Sequence, residues 1–357
     1  MMKVGYVPYS YNLQHPGDRR RLAAWALHQD TELNLETPLD CELLVLSNAA
    51  NFGYWLKRAK QPVILDLVDG YLGEHPSLLK DVIRNVVRSI RGTSSLRWIT
   101  YTNHIRSACR KSDAVIVASK EQRDVILRYN KNVYVILDDH TEMDSDSLDD
   151  ARRTKLSNQD LQSPHLFWEG YGYTLKHFQV VAKDLDKFLM ESGWGMYLLT
   201  NEEFPRWGGY IGKVRTRNLI KKWFPLSEYA IQIIPWSIDN VIKFAKLSTL
   251  GLIPIDPHDE FALLKPENKL LSMWHLNLPV LFSNTPAYSR VATESQQQAA
   301  CIGVGGWMKA LTSYSQSLDD REGLRKLGQT YILKEHTHEI LMAKWDTSLK
   351  EIMNSSS

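Results

Sequence analysis

The chain has 357 residues, enough for two domains with full cores, and its 43% hydrophobic and 24% charged residues exclude a disordered or fibrous class. A net charge of +2 with a pI near 8.2 implies no polyelectrolyte partner by itself, and three scattered cysteines, Cys41, Cys109 and Cys301, exclude a disulfide framework and read as reduced core thiols. The opening MMKVGYVPYS lacks a basic segment followed by a long apolar one, and no apolar run approaches the ~20 residues that span a bilayer, so a cytoplasmic protein is expected.

In chain order, Lys3 to Val7 predicts a first strand and Pro8 to Gly17 a Tyr- and Asn-rich loop. Asp18 is placed to cap a helix carrying Leu22, Ala23, Trp25 and Ala26. Strands over Leu43–Leu46 and Val63–Leu67, with a helix over Phe52–Ala59 between them, give the βαβ rhythm of a parallel sheet. From Ser77 to Ile90, the residues Leu78, Leu79, Val82, Ile83, Val86, Val87 and Ile90 predict a helix with a buried stripe and an outer face of Arg84, Arg88 and Arg91. A strand over Ala114–Val117, a helix opened by the Ser119/Gln122 capping box, and a strand over Val133–Leu137 follow. Asp138 to Asp150 is acid-rich and nearly devoid of large apolar residues; it reads as a solvated linker and lacks the glycine and terminal glutamate of a calcium loop.

The rhythm restarts with a strand over Leu166–Trp168, a Gly170-Tyr171-Gly172 loop and a helix from Thr174 to Glu191. Met196–Thr200 is a strand, Phe204 to Gly212 is irregular, and Lys213 to Lys222 is a charged run of the kind that solvates a helix face. Ala230–Ile234 is a strand ending at Pro235-Trp236, with Ser237 capping the next helix. Beyond Pro286, Ala299–Val304 predicts a strand, Trp307–Tyr314 a helix, and Thr337 opens a last helix lined by Leu341, Trp345, Leu349 and Ile352. His336 and His338, without a third ligand, read as capping or surface residues rather than a metal site.

The most informative stretch is Leu250 to Pro286. Leu252–Ile255 predicts a buried strand, acids follow at Asp256, Asp259 and Glu260, and a helix is expected from Lys265 or Pro266 with Leu270, Leu271 and Trp274 on one side. Asn277, tolerant of left-handed backbone, ends it before a strand over Leu278–Phe282. Such a helix start, with Lys265 and Lys269 beside it, attracts anions, and the carboxylates suit sugar hydroxyls or a developing cation. The plain alternative is an ordinary α/β loop with solvated acids.

Asp259, seven intervening residues, Glu267, then Asn268-Lys269-Leu270-Leu271 and Leu278-Pro279-Val280, resemble the acid-x7-Glu motif of retaining glycosyltransferases of the GT-B fold, family-four type, with its K-P-x-N-K-L-L sub-pattern. The segment SDAVIVASKEQRDVILRYNKNVYVI resembles the last βαβ unit of a GT-B N-terminal domain. The resemblance implies an α/β fold of two Rossmann-like, doubly wound parallel-sheet domains: an acceptor domain over 1–140, a linker over 141–160, a nucleotide-sugar domain over 161–336, and a helix over 337–357 crossing back. It also implies that Asp259 lies beside the donor sugar, with Asp256 and Glu260 as competitors because the first acid is commonly Glu. Glu267 would hold the ribose, Lys265, Pro266 and Asn268 the helix start, Gly170, Tyr171 and Lys176 the diphosphate, and Pro235 and Trp236 the base. Retention is implied, with no cofactor, no metal and a nucleotide-diphosphate sugar as donor.

Because α/β ligands sit at strand carboxyl ends, His15, Asp18, Arg19, Asp66, Asp69 and His75 are acceptor-side candidates, Asp69 first among them, though it also suits a turn before Gly70. A glycan or lipid-linked acceptor with peripheral membrane contact fits this picture. Arg84, Arg88, Arg91, Arg97, Arg106, Arg110 and Lys111, with Trp98 and Tyr101, leave open a nucleic-acid acceptor, anionic lipid or a merely solvated face. A GT-B binding or accessory protein without catalysis is the remaining alternative.

Overall fold

A computed structural model describes residues 2–72, 78–94, 100–144, 164–205 and 212–355, with Lys80, Glu260 and Phe261 described by backbone alone. The chain divides into two compact units, one of Met1–Asp139, Glu260–Asn268 and Glu335–Ser357, the other of His140–Asp259 and Lys269–Lys334. The return of Glu260–Asn268 to the first unit is not foreshadowed by the sequence.

In the first unit, β1 (Val4–Val7), α1 (Pro16–Arg19), α2 (Leu22–His28), β2 (Leu33–Asn34), β3 (Leu43–Ser47), α3 (Phe52–Arg58), β4 (Val63–Leu67), α4 (Leu78–Ile90), α5 (Tyr101–Lys111), β5 (Ala114–Val117), α6 (Lys120–Ile126) and β6 (Val133–Val135) follow in order. Six parallel strands lie in the order β2-β1-β3-β4-β5-β6. Alternate residues feed two cores, as a sheet covered on both faces requires. Val4, Tyr6, Val45, Ile64 and Ile116 face Trp25 and the last helix's Leu341, Trp345 and Leu349. Leu44, Leu46, Leu65, Val115 and Val117 face Phe52, Tyr101, Ile105 and Ala108.

The second unit holds β7 (His165–Glu169), a 3-10 helix over Gly172–Val180, α7 (Ala182–Ser192), β8 (Gly195–Thr200), β9 (Glu203–Pro205), β10 (Lys213–Arg215), α8 (Thr216–Trp223), β11 (Ile231–Pro235), α9 (Ile238–Lys246) and β12 (Leu250–Ile253). After α10 (Glu260–Leu263) come α11 (Asn268–His275), β13 (Val280–Ser283), α12 (Pro286–Glu294), β14 (Cys301–Ile302), α13 (Trp307–Gln316), α14 (Leu318–Glu335) and α15 (His338–Ser355), α10 and α15 belonging to the first unit. The second sheet is again parallel, ordered β11-β8-β7-β12-β13-β14, with β9 and β10 as a separate antiparallel pair. Ser119 and Ser237 cap α6 and α9 through the amides of Gln122 and Asn240 at 3.1 Å, and Asn277 takes φ 60° after α11, all as expected.

Several expectations are corrected. Asp18 does not cap the Leu22 helix, which starts after Arg21; it sits in α1, fully buried, where its carboxylate accepts bonds from the Tyr6 hydroxyl (2.7 Å), the Tyr9 amide (2.8 Å) and the Ser10 amide and hydroxyl (2.9 and 3.0 Å). Helix α4 forms, but turned over: the stripe expected in the core is largely exposed, because Asp81, Asn85 and Arg88 are tied inward. Asp138 and Asp139 are buried rather than solvated, the latter bonded to His338 at 2.7 Å, and His336 is buried as well. The segment expected as one helix from Thr174 divides into a 3-10 turn series and α7. Helix α11 starts at Asn268, not at Lys265 or Pro266, and only Cys109 of the three thiols is fully buried. His75, Arg97 and Trp98, most of the expected linker and the stretch 206–211 lie outside the described residues.

His104 of α5 stacks on Phe52 (centroids 5.6 Å apart), with neither ring nitrogen bonded among the described residues, and burial holds its pKa down at about 4 against an ordinary 6.5. On acidification the unfolded chain takes up this proton first, so stability present above pH 6.5 is lost as pH falls towards 4, by about 3 kcal/mol if this group acts alone. The expected result is a flatter melting temperature between pH 6.5 and 4 in His104→Phe than in the native chain.

Candidate active site

In the second unit, β7, β8 and β11 run outward on one side and β12, β13 and β14 on the other, so the chain reverses direction between the neighbours β7 and β12. In open parallel sheets ligands lodge in the crevice at that point, beyond the strand carboxyl ends. The loop after β7 brings Gly170, Tyr171, Lys176 and His177, and the loop after β12 brings Asp256 and Asp259.

These two loops meet. Lys176 Nζ forms an ion pair with Asp259 Oδ2, and His177 Nε2 lies 4.0 Å from the same oxygen. The Asp256 amide donates to His177 Nδ1 at 3.3 Å, which leaves the hydrogen on Nε2, towards Asp259. The Asp256 carboxylate in turn accepts the His258 amide at 2.9 Å, and Ser283 at the end of β13 accepts the Ile255 amide at 2.8 Å. The Lys176 side chain is 56% exposed and the Asp259 side chain 16%, so the lysine faces solvent while the acid is sheltered.

Gly170 has φ 156°, and a Cβ there would stand 2.6 Å from Lys269 Nζ and 3.0 Å from the Trp168 ring. Lys269 fills that space because its ammonium donates to the Glu169 carbonyl at 2.7 Å and lies 4.6 Å from the Trp168 ring centroid. Glu169 also accepts the Trp236 indole N–H at 2.9 Å, which joins the ends of β7 and β11, while Pro235 O accepts from Asn240 of α9 at 2.8 Å. Tyr171 is exposed and opens the 3-10 segment. His177 and Glu169 were missed in the sequence; the only available signal was their position next to Lys176 and Gly170.

The other candidates lie in the first unit. Its sheet reverses direction between β1 and β3, and the segment after β1 carries His15 at the N-cap of α1 and Asp18 and Arg19 within it. His15 caps α1, its Nδ1 accepting the Gly17 amide at 3.1 Å, and stacks on Tyr9 with centroids 4.6 Å apart; burial lowers its pKa despite the attraction of Asp18. Asp18 is consumed by its loop, as described above, and is not an open acceptor-side group. Asp66 is likewise taken, by the buried guanidinium of Arg21. Asp69 is half-buried; burial raises its pKa, with the Lys265 charge pulling it back.

Lys265, Pro266 and Glu267 form the turn ahead of α11, with Pro266 and Glu267 buried, and Asn268 Oδ1 buried without a hydrogen bond among the described residues. This segment presses on the loop after β4: a Cβ on Gly70 would stand 2.4 Å from Leu264 Cβ. The Glu260 side chain lies outside the described residues. The basic surface is narrower than the sequence implies, since Arg88 covers the Tyr101 ring and Arg110 the Tyr129 ring, with centroids 4.6 and 5.0 Å from the guanidinium carbons.

No family model and no curated protein matches the chain in sequence. Solved structures match its fold. HepE from Anabaena, in complex with UDP, aligns at 11% identity and TM-score 0.64, over 98% of this chain and 100% of that one. Sucrose-phosphate synthase from Thermosynechococcus elongatus aligns at 11% and 0.61, over 98% and 81%. TarM aligns at 9% and 0.56, over 86% of this chain and 54% of that one, so the chain spans about half of TarM. With two six-stranded parallel sheets covered by helices, the architecture is settled. The chain has the GT-B fold.

Proposed function

We propose that this GT-B chain is an enzyme that transfers a sugar from a nucleotide diphosphate to an acceptor hydroxyl, with retention and without a divalent ion, in glycan or polysaccharide synthesis. The observation that carries the reading is the Lys176–Asp259–His177 cluster at the reversal point between β7 and β12. An exposed cation paired to a sheltered carboxylate suits a donor with a diphosphate on one side and an electron-poor ring on the other. Lys176 exchanges Asp259 for the diphosphate, and the carboxylate so released stabilises positive charge growing at the anomeric carbon. Lys265 shares the charge of the leaving diphosphate and Glu267 takes the ribose, as the motif's resemblance to the family-four type implies. Asp69, its carboxyl raised by burial, is the acceptor-side base in this reading.

HepE is solved in complex with UDP and with UDP and glucose, which makes UDP and UDP-glucose the first donors to try. In a thermal-shift series of nucleoside diphosphates and their sugars, one base is expected to raise the melting temperature by a few degrees, since ligand at a hundredfold excess over its Kd adds about 2.7 kcal/mol. No shift with any nucleotide or nucleotide sugar would overturn the reading.

A further inference from the structure

An amphipathic helix on a soluble domain normally buries its apolar stripe. Helix α4 does the opposite: Leu78, Leu79, Ile83, Val86 and Ile90 are 69%, 70%, 44%, 41% and 76% exposed, while Asp81 and Asn85 are almost fully buried. The orientation is fixed by bonds on the polar side. Asp81 accepts the Thr102 amide at the start of α5 (3.1 Å), Asn85 accepts the Ser94 hydroxyl (2.6 Å), and Arg88 reaches the Asn48 carbonyl beneath the Tyr101 ring. Turning the stripe inward would strand these groups, so the outward apolar face is built in rather than a loose packing.

We propose that this face is a docking surface for an anionic lipid bilayer, into which α4 sinks its aliphatic side while lying parallel to the membrane plane. The outward arc is purely aliphatic and is flanked by exposed Arg84 and Arg91, seven residues apart on one side of the helix. Asp81, the one acid in α4, points inward. Beside the helix end, Asn51 donates to the Gly92 carbonyl at 2.9 Å, and the 540 Å³ groove lined by Asn51 and Ser94 also carries exposed Lys57 and Lys111. Aliphatic side chains rimmed by cations match acyl chains below anionic headgroups. A second copy of the chain fits less well, because a two-fold contact through this patch gathers arginines from both copies with no acid on α4's outward side to meet them. The face belongs to the first unit and the donor cluster to the second, and vesicle binding is read without any donor, so the test does not depend on the donor chemistry.

The test is co-sedimentation of the full chain with vesicles of phosphatidylcholine containing about 30% phosphatidylglycerol, set against pure phosphatidylcholine. The native chain is expected to pellet with the anionic vesicles and to be released by salt. The Leu79→Gln/Ile83→Gln/Ile90→Gln variant is expected to bind at least about a hundredfold more weakly with an unchanged melting temperature. Arg84→Glu/Arg91→Glu, which leaves the apolar side intact, provides a second variant and is expected to lose the preference for anionic vesicles. Failure of the native chain to pellet, equal pelleting of the native and triple-Gln chains, or a lipid-free dimer that the triple-Gln variant dissociates would each overturn the proposal.

Discussion

Replacing Arg21 with methionine is expected to destabilise the first unit by about 3–5 kcal/mol, seen as a lower urea midpoint with little change in slope. Arg21 is fully buried at the start of α2. Its Nε and Nη2 donate to Asp66 in β4 at 2.9 and 2.6 Å, its Nη1 to Asp138 at 3.0 Å and to the Ile136 carbonyl at 2.7 Å, and its guanidinium carbon lies 5.6 Å from the Trp345 ring centroid. Burial alone would lower the Arg21 pKa, but the two carboxylates outweigh it and hold it above the ordinary value; burial raises Asp66 in spite of its partner. Methionine fills much of the volume yet leaves two buried acids uncompensated. Adding Asp66→Leu and Asp138→Asn to the Met variant is therefore expected to recover most of the loss, because the cost lies in stranded charge rather than in the missing bonds. A triple variant as unstable as the single one would show instead that packing around Trp345 carries the effect.

That ion pair marks where sequence reading ends. Strands such as Leu43–Ser47 and Val63–Leu67 were legible because unbroken apolar runs between turn signals have few other uses, and Ser119 and Ser237 cap their helices on spacing alone. Arg21, between a basic run and an apolar helix, carries no local sign that it will be buried; only the pairing of β4 beside β3 and the path after β6 bring Asp66 and Asp138 to it. Helix α4 shows the same limit from the other side. Its periodicity gave the helix, but periodicity cannot say which face turns inward when Asp81, Asn85 and Arg88 find partners on neighbouring elements. Helix α14 went unread because its apolar residues are sparse: of its 18 residues only Leu324, Gly328 and Ile332 are buried. For the candidate site, the acids after β12 and the glycine loop after β7 marked Asp259 and Lys176 as candidates, yet their pairing comes from sheet order, which no local pattern encodes.

That pairing leads to the second large effect, a fall in kcat of about 10²–10³ for Asp259→Ala with the proposed donor. If Asp259 acts only as the resting partner of Lys176, its removal frees the cation and strengthens donor binding without slowing the chemical step. If it stabilises the charged ring, kcat falls while KM for the donor stays level or drops, because the lost interaction belongs to the transition state. Lys176→Met gives the contrast: its side chain is 56% exposed, and in the proposed reading its cation meets the diphosphate both before and during bond cleavage, so KM is expected to rise together with a loss in kcat. The double variant separates the roles further. Two groups that trade partners during one turnover are coupled, so its loss should fall short of the sum of the single losses by more than the ~0.5 kcal/mol seen for independent sites. Additive losses, or an Asp259→Ala enzyme with native kcat, would remove Asp259 from the reaction and leave the cluster a structural tie between the loops after β7 and β12.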